Sequence, residues 1–343
     1  MSTLFIYPRR GLYQLTKCDN CGHLFDCSNC DAKLVTYRQY KGVLELVCHQ
    51  CQTYYKYPEI CPTCSSHKIF SRFGGIEELV ETIEKEKEVT TVRLDNPKTT
   101  VINTTLPSVD KDSLKNIQVT YLQEKGNLLS SHILEESEGE IYVSTRLFDP
   151  SLSYSNFSQI VFVQAHNLLA SPDYLVQEEI MKSIAEVLLQ VDDRTKVIFD
   201  TNSTELELFK DIIKLNKNYS KPEKVYDWYI KFLNKETESR KKYHFPPFKN
   251  LLLLTTQEKN LAHSKDLLVA VKNYLETMKD NLPEVNWSNP YPARFLKRRS
   301  LFSHHLLIRY PKQYEHFNLL KKEVMSLSEV YKLQVRLNPR HLF

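Results

Sequence analysis

Eight cysteines fall between Cys18 and Cys64 as four Cys-x-x-Cys pairs: Cys18/Cys21, Cys27/Cys30, Cys48/Cys51 and Cys61/Cys64. The 279 residues after Cys64 contain none. Two sulfurs two residues apart can bind one metal ion through a tight turn, and zinc holds four thiolates in a tetrahedron. The third pair follows the second after 17 residues, inside the roughly 15–20 residue spacing of zinc ribbons. Nesting is the arrangement expected: Cys18, Cys21, Cys61 and Cys64 around one zinc, and Cys27, Cys30, Cys48 and Cys51 around a second, with sequential pairing as the alternative. Redox Cys-x-x-Cys chemistry and iron–sulfur ligation compete with zinc. A disulfide scaffold would spread its cysteines along the chain. Four thiolates leave no coordination position for water, so two such ions staple a loop-rich module and do not catalyse. His23, His49 and His67 lie near the pairs and are expected at the surface or supporting the ligands.

Nucleotide chemistry has no matching signal. Only seven glycines occur, at 11, 22, 42, 74, 75, 126 and 139. No two of them are spaced for a phosphate-binding G-x-x-x-x-G-K-[ST] loop, and no G-x-G-x-x-G is present. H-E-x-x-H and G-x-S-x-G are also missing. The chain alone is therefore expected to have no ATPase activity and no catalytic residues.

Nucleic acid is signalled locally. A net charge of +4 is too small to decide anything. Two clusters are more informative: Arg240, Lys241 and Lys242 with Tyr243 and His244 before Phe245-Pro246-Pro247-Phe248, and Arg294, Lys297, Arg298 and Arg299 before Phe302, His304 and His305. Cations neutralise phosphates while neighbouring rings stack on unpaired bases. The alternative for both is a solvated basic loop. Tyr54 to Tyr57 could serve the same end, or pack the core of a small module.

The elements that must carry these residues follow from apolar periodicity. Leu4 to Tyr7 reads as a buried strand leading into the cysteine block. After Phe73-Gly74-Gly75, the residues Ile76, Leu79, Val80 and Ile83 recur at helical spacing, and Val89 to Leu94 reads as a strand. Strand patterns at 141–145, 160–163 and 197–199 alternate with helical ones at 175–189 and 206–215, which argues a mainly parallel sheet covered by helices. Residues 96–139 are polar and read as a long loop with one short helix. A linker is expected near 214–224. Beyond it, two β-α-β halves in tandem predict an α+β unit of split β-α-β type. The expected division is 1–15 as the first strand of the parallel-sheet unit, 16–68 as the two-zinc module, 69–216 as the rest of that unit, and 225–343 as the C-terminal unit. No apolar run of about eighteen residues occurs and the first residues lack a secretory pattern, so a soluble, cytoplasmic protein without membrane contact is expected.

In order and spacing, these parts resemble the C-terminal half of the bacterial replication-restart helicase family PriA (primosomal protein N′). The residues carrying the likeness are Arg9-Arg10-Gly11, Cys18 to Gly22, Cys61-Pro62-x-Cys64, Gly74-Gly75-Ile76-Glu77 and Val92-Arg93-Leu94-Asp95. Further on come Ser171-Pro172-Asp173-Tyr174, Phe245-Pro246-Pro247-Phe248 and Asn289-Pro290-Tyr291-Pro292-Ala293. The resemblance implies a RecA-like second helicase lobe holding an inserted two-zinc module, followed by a C-terminal domain that lies against DNA. The sequence also departs from the family. No counterpart of the first helicase lobe is present. Ser144 to Asp149 replaces G-T-Q-M-x-A-K-G, and Val187 to Arg194 replaces Q-V-A-G-R-A-G-R, so that Val191 stands for the first arginine of that motif and only Arg194 keeps the second. Those arginines stabilise phosphate charge in such motors, so the nucleotide motif is degenerate. The family implies forked or single-stranded DNA and primosome or single-strand-binding proteins as partners. The alternatives are a helicase half working with a separately encoded first lobe, and a zinc-stabilised protein adaptor.

Overall fold

The computed structural model describes residues 2–9, 11–39, 42–87, 92–93, 118–121, 140–170, 173–201, 207–215 and 221–342. Expectations concerning Arg10, Val89 to Thr91, Leu94, Asp95, most of 96–139, Ser171, Pro172, Leu206 and 216–220 lie outside the described residues.

Strand β1 (Ser2–Ile6) is buried at every position, as a strand covered on both faces must be. The chain then leaves this strand for the cysteine module, whose antiparallel sheet is built from β2 (Tyr13–Cys18), β3 (Val35–Arg38), β4 (Leu44–Val47), β5 (Tyr54–Lys56) and β6 (Ile69–Gly74) in the order β5-β4-β3-β2-β6. It returns through α1 (Ile76–Lys87), which carries Glu77 and Glu78 in its first turn, where carboxylates suit the helix dipole. Gly11 makes the exit possible. It sits at φ +78°, and a Cβ there would lie 2.4 Å from the Val35 side chain and 3.0 Å from the Thr36 carbonyl.

Next come β7 (Val92–Arg93), β8 (Gln118–Tyr121), β9 (Glu140–Ser144), β10 (Gln159–Phe162), α2 (Val176–Leu188), β11 (Lys196–Thr201) and α3 (Glu207–Lys214). Together with β1 these strands make a six-stranded sheet in the order β7-β9-β1-β10-β11-β8, parallel at every pairing. Alternation sends Leu4, Ile6, Ile160, Phe162, Val197 and Phe199 to one face, under α2 and α3. Phe5, Tyr7, Val161, Val163 and Ile198 go to the other face, under Ile76, Leu79 and Ile83 of α1. At 118–121 a strand stands where loop was expected in the polar segment: Val119, Thr120 and Tyr121 are of the β-branched and aromatic types that favour strands, and this strand adds to β11.

Helix α4 (Pro222–Lys242) begins inside the expected linker. Proline at its start loses no hydrogen bond, because the first helical N–H groups have no partner in any case. Val225 and Trp228 are buried in the core of the parallel-sheet unit, with Tyr229 and Phe232 packed against it. This part of 225–343 therefore shares that core.

The C-terminal sheet comprises β12 (Lys249–Thr255), β13 (Asn286–Trp287), β14 (Tyr291–Arg298), β15 (Leu301–Pro311) and β16 (Gln334–Leu337). Its order is β13-β15-β12-β16, with β14 also beside β15, and every pairing is antiparallel. Helices α5 (Leu261–Thr277) and α6 (Phe317–Tyr331) connect the strands as two β-α-β halves require. The Asn260 side chain caps α5 by accepting from the His263 amide. Leu252, Leu254, Leu306 and Ile308 meet α5 and α6 on one face. Leu251, Leu253 and Leu307 meet Tyr174 and Phe245 on the other. Among the described residues, no helix is long and apolar enough to cross a membrane.

Candidate metal centres and nucleic-acid interface

One local fold, used four times, positions the eight sulfurs. In each pair the first cysteine donates its amide to the carbonyl five residues on: Cys18 to His23, Cys27 to Ala32, Cys48 to Thr53 and Cys61 to Ser66. In three of them its carbonyl also accepts from the residue four on, namely Gly22, Gln52 and Ser65. Those three residues lie in the left-handed region, at φ 77°, 62° and 56°. The turn folds back so that both sulfurs face the same way.

Two groups of sulfurs result, Cys18, Cys21, Cys61 and Cys64, and Cys27, Cys30, Cys48 and Cys51, each with all atoms within 4.8 Å of one another. We call the first the outer centre and the second the inner centre. Sulfurs of Cys18 and Cys64, of Cys21 and Cys61, and of Cys27 and Cys51 lie 3.6 Å apart. A disulfide needs about 2.05 Å. Four sulfurs at about 2.3 Å from a shared ion sit roughly 3.8 Å from each other. The spacing thus fits a common ion and not a covalent bridge, and all eight cysteines are free. Either group could hold one metal ion.

Hydrogen bonds to the sulfurs prepare them for a cation. The Thr53 side chain, 3.0 Å from Cys51 Sγ, lowers that thiol to about 6. Asn20 Nδ2 donates to Cys64 Sγ at 3.5 Å, and this bond lowers Cys64 to about 6. Burial pushes Cys48 the other way, to about 12. Four thiols so close cannot all ionise unless a positive ion joins them, and a metal deprotonates its thiol ligands outright. Tyr55 adds a contact to Cys27 Sγ at 3.2 Å. Asn20 and Thr53 were not singled out from sequence, although each lies two residues after a cysteine, and Tyr55 was read only as a base-stacking or core residue. The histidines take other partners: His23 meets Thr63, His49 meets Tyr37, and His67 meets the Glu59 carbonyl.

The basic residues divide by location. Arg240 has a side chain only 12% exposed, paired with Glu236 at 2.8 Å and Glu178 at 2.5 Å. Its guanidinium also lies over the Tyr174 ring. The pair with Glu178 fastens α4 to α2. Lys241 and Lys242 are exposed at the end of the same helix. Arg294, Arg298 and Arg299 are exposed on the β14–β15 hairpin. Lys297 is half-buried, and its Nζ donates to the Ser28 carbonyl of the cysteine module at 2.9 Å. The two clusters therefore sit on separate elements, one against α2 and one against the module.

No protein-family model matches the chain. A replication restart protein PriA from Thermotoga maritima is 25% identical over 311 residues, 89% of this chain. Those from Borreliella burgdorferi and Bacillus subtilis are each 24% identical, over 96% and 95% of it. The chain resembles PriA along most of its length. It spans well under half of the PriA relatives, 36% of the Thermotoga protein and 44% of the Borreliella one, consistent with a C-terminal half of PriA.

The segments 187–194 and 144–149, which depart from the resembled pattern, hold their side chains as follows. Val191 is buried in the core under the parallel sheet. Arg194 is 57% exposed and paired with Asp192 in its own turn. In the preceding motif, Arg146 pairs with Asp149 at 2.7 Å, and Asp149 also accepts from the amide and hydroxyl of Ser151.

Proposed function

We propose that this chain is a PriA-like, zinc-binding DNA-binding protein of replication restart and repair, engaging forked or single-stranded DNA and primosome or single-strand-binding partners without ATP turnover of its own. In this reading the parallel sheet of 1–15 and 69–216 is a degenerate second helicase lobe. Residues 16–68 form a two-zinc module and the unit ending at 343 contacts DNA. The observation that carries the proposal is the coincidence of PriA likeness over nine-tenths of the chain with two four-cysteine groups spaced for an ion each. Zinc is the metal chosen because all-thiolate tetrahedral sites suit it and keep no open position.

The supporting surface is the exposed set Arg294, Arg298 and Arg299, with Lys241 and Lys242 as a second patch. The exposed Tyr243 ring lies under Lys242 in the second patch, which suits phosphate contact next to base stacking. The test is fork-DNA titration across a salt series. Arg298→Ala with Arg299→Ala is expected to weaken binding and flatten the salt slope by about two, one for each phosphate that is no longer neutralised. An unchanged slope rejects that surface and favours a protein adaptor. ATP turnover is expected to stay at background with and without the fork, and DNA-stimulated hydrolysis by the pure chain overturns the motorless reading.

A further inference from the structure

The β14–β15 hairpin closes through a two-residue turn, Arg299–Ser300, with both residues in the left-handed region at φ 49° and 64°. Turns with two positive φ values strongly favour Asn-Gly and similar sequences, because a side chain resists that conformation. Two ordinary residues held there are strained, so the surroundings must hold the turn in place.

Those surroundings are the inner centre. The Arg299 amide donates to Cys30 Sγ at 3.4 Å. The Ser300 amide donates to the Asn29 carbonyl at 2.8 Å, and the Asp31 amide to the Lys297 carbonyl at 2.9 Å. The Lys297 amide donates to Asp31 Oδ2 at 2.7 Å, while Lys297 Nζ reaches the Ser28 carbonyl at 2.9 Å. Phe295 packs against the apolar cluster that includes Cys27, Cys30 and Cys48. Every residue from Ser28 to Asp31 is thus engaged by the hairpin. The outer centre differs, for the hydrogen bond to Cys64 comes from Asn20 of its own module.

We propose that the inner metal centre is the joint fixing the C-terminal unit to the cysteine module: the Arg299–Ser300 turn completes the hydrogen bonding around its thiolates, and a metal on Cys27, Cys30, Cys48 and Cys51 keeps the hairpin seated. The ion holds the Cys27–Cys30 turn in the shape that the hairpin grips, and groups bonded to metal ligands tune metal affinity in return. Linkage makes the effect reciprocal, so seating the hairpin must tighten metal binding at the inner centre by the same factor. The outer centre is exempt. This inference rests on the two-zinc reading above.

The experiment uses the full chain loaded with zinc and an Asp31→Ala, Lys297→Ala double variant, which removes both side-chain links and no cysteine. Release of zinc to a coloured chelator is expected to split into two phases, with one ion leaving on the order of tenfold faster than in the parent and the other unchanged. Hydrogen exchange is expected to show residues 294–302 losing protection. Arg299→Gly provides the converse, since glycine keeps the amide and suits a positive φ. Both ions should then leave at the parental rate and the hairpin should stay protected. A parent chain that takes up fewer than two zinc ions overturns the metal reading and this inference with it. A two-ion chain whose double variant matches the parent in both measurements, or loses both ions equally faster, overturns this inference alone.

Discussion

In the parallel sheet, strands bury apolar side chains on both faces, and the two clusters include Phe162 and Phe199 stacked 4.7 Å apart. In the cysteine module, the buried cluster consists of Ala32, Leu34 and Leu46 together with Cys27, Cys30 and Cys48. The centre of the module's sheet is a knot of hydroxyls, where Thr16, Thr36 and Tyr57 all bond to Ser71 at 2.7–3.1 Å. Such bonds contribute about 1 kcal/mol each after desolvation, far less than the sheet's large side chains at about 1.5–3 kcal/mol apiece. One region is held by alkyl and aromatic contacts; the other has a small cluster, half of it cysteine, and two four-sulfur groups that could each hold an ion.

Removing metal should separate the two regions most sharply. With a strong chelator, the module is expected to lose its structure while the sheet keeps a cooperative melt, since structural zinc supplies roughly 10–16 kcal/mol in small domains. Circular dichroism and exchange of residues 13–74 check this, and a sheet that unfolds in step with the module would break the contrast. Next in size, Phe199→Ala is expected to cost about 3–5 kcal/mol in the sheet transition while zinc content stays at two per chain, as elemental analysis would confirm.

Acid should act on the two regions in opposite directions. Burial raises the Asp200 carboxyl to about 6, with the Gln164 amide opposing the shift. Between about pH 4 and pH 6 the folded state therefore holds a proton that the unfolded state has released. Stability falls as pH rises through that window, by up to roughly 3 kcal/mol. Asp200→Asn keeps the acceptor and is expected to remove this slope and raise the sheet's melting temperature at pH 7. The module should behave inversely, because protons compete with metal for sulfur and its stability grows with pH. Smallest of all, Gly11→Ala at the junction is expected to cost about 1–3 kcal/mol from the left-handed backbone and the Val35 contact. Thermal melts with and without Val35→Ala would show partial rescue.

What could be read from sequence was what local pattern encodes. The apolar run at 4–7 already placed a buried strand, and the Cys-x-x-Cys spacing already carried the nesting of the two sulfur groups. The tandem halves after 249 already implied strands joined through two helices, α5 and α6. Contacts between distant segments were not legible. Val225, Trp228, Tyr229 and Phe232 have helical spacing, yet the polar stretch before them read as a linker and hid the start of α4. Arg240 looked like any surface cation, because its partner Glu178 lies 62 residues away. Lys297 likewise meets Ser28 across 269 residues. No local periodicity announces such pairs.

Where the cysteine module joins the parallel sheet, Tyr13 pairs with Gly74 and the Gly75 amide bonds to the Leu12 carbonyl. The excursion therefore departs and returns at adjoining points, like a loop of thread pulled through a single buttonhole. Such a segment can be exchanged for a short glycine bridge without re-registering the strands of its host. Genetic deletion of 13–74 becomes a practical way to obtain the host sheet and the C-terminal unit without the module, leaving the β14–β15 hairpin without its partner.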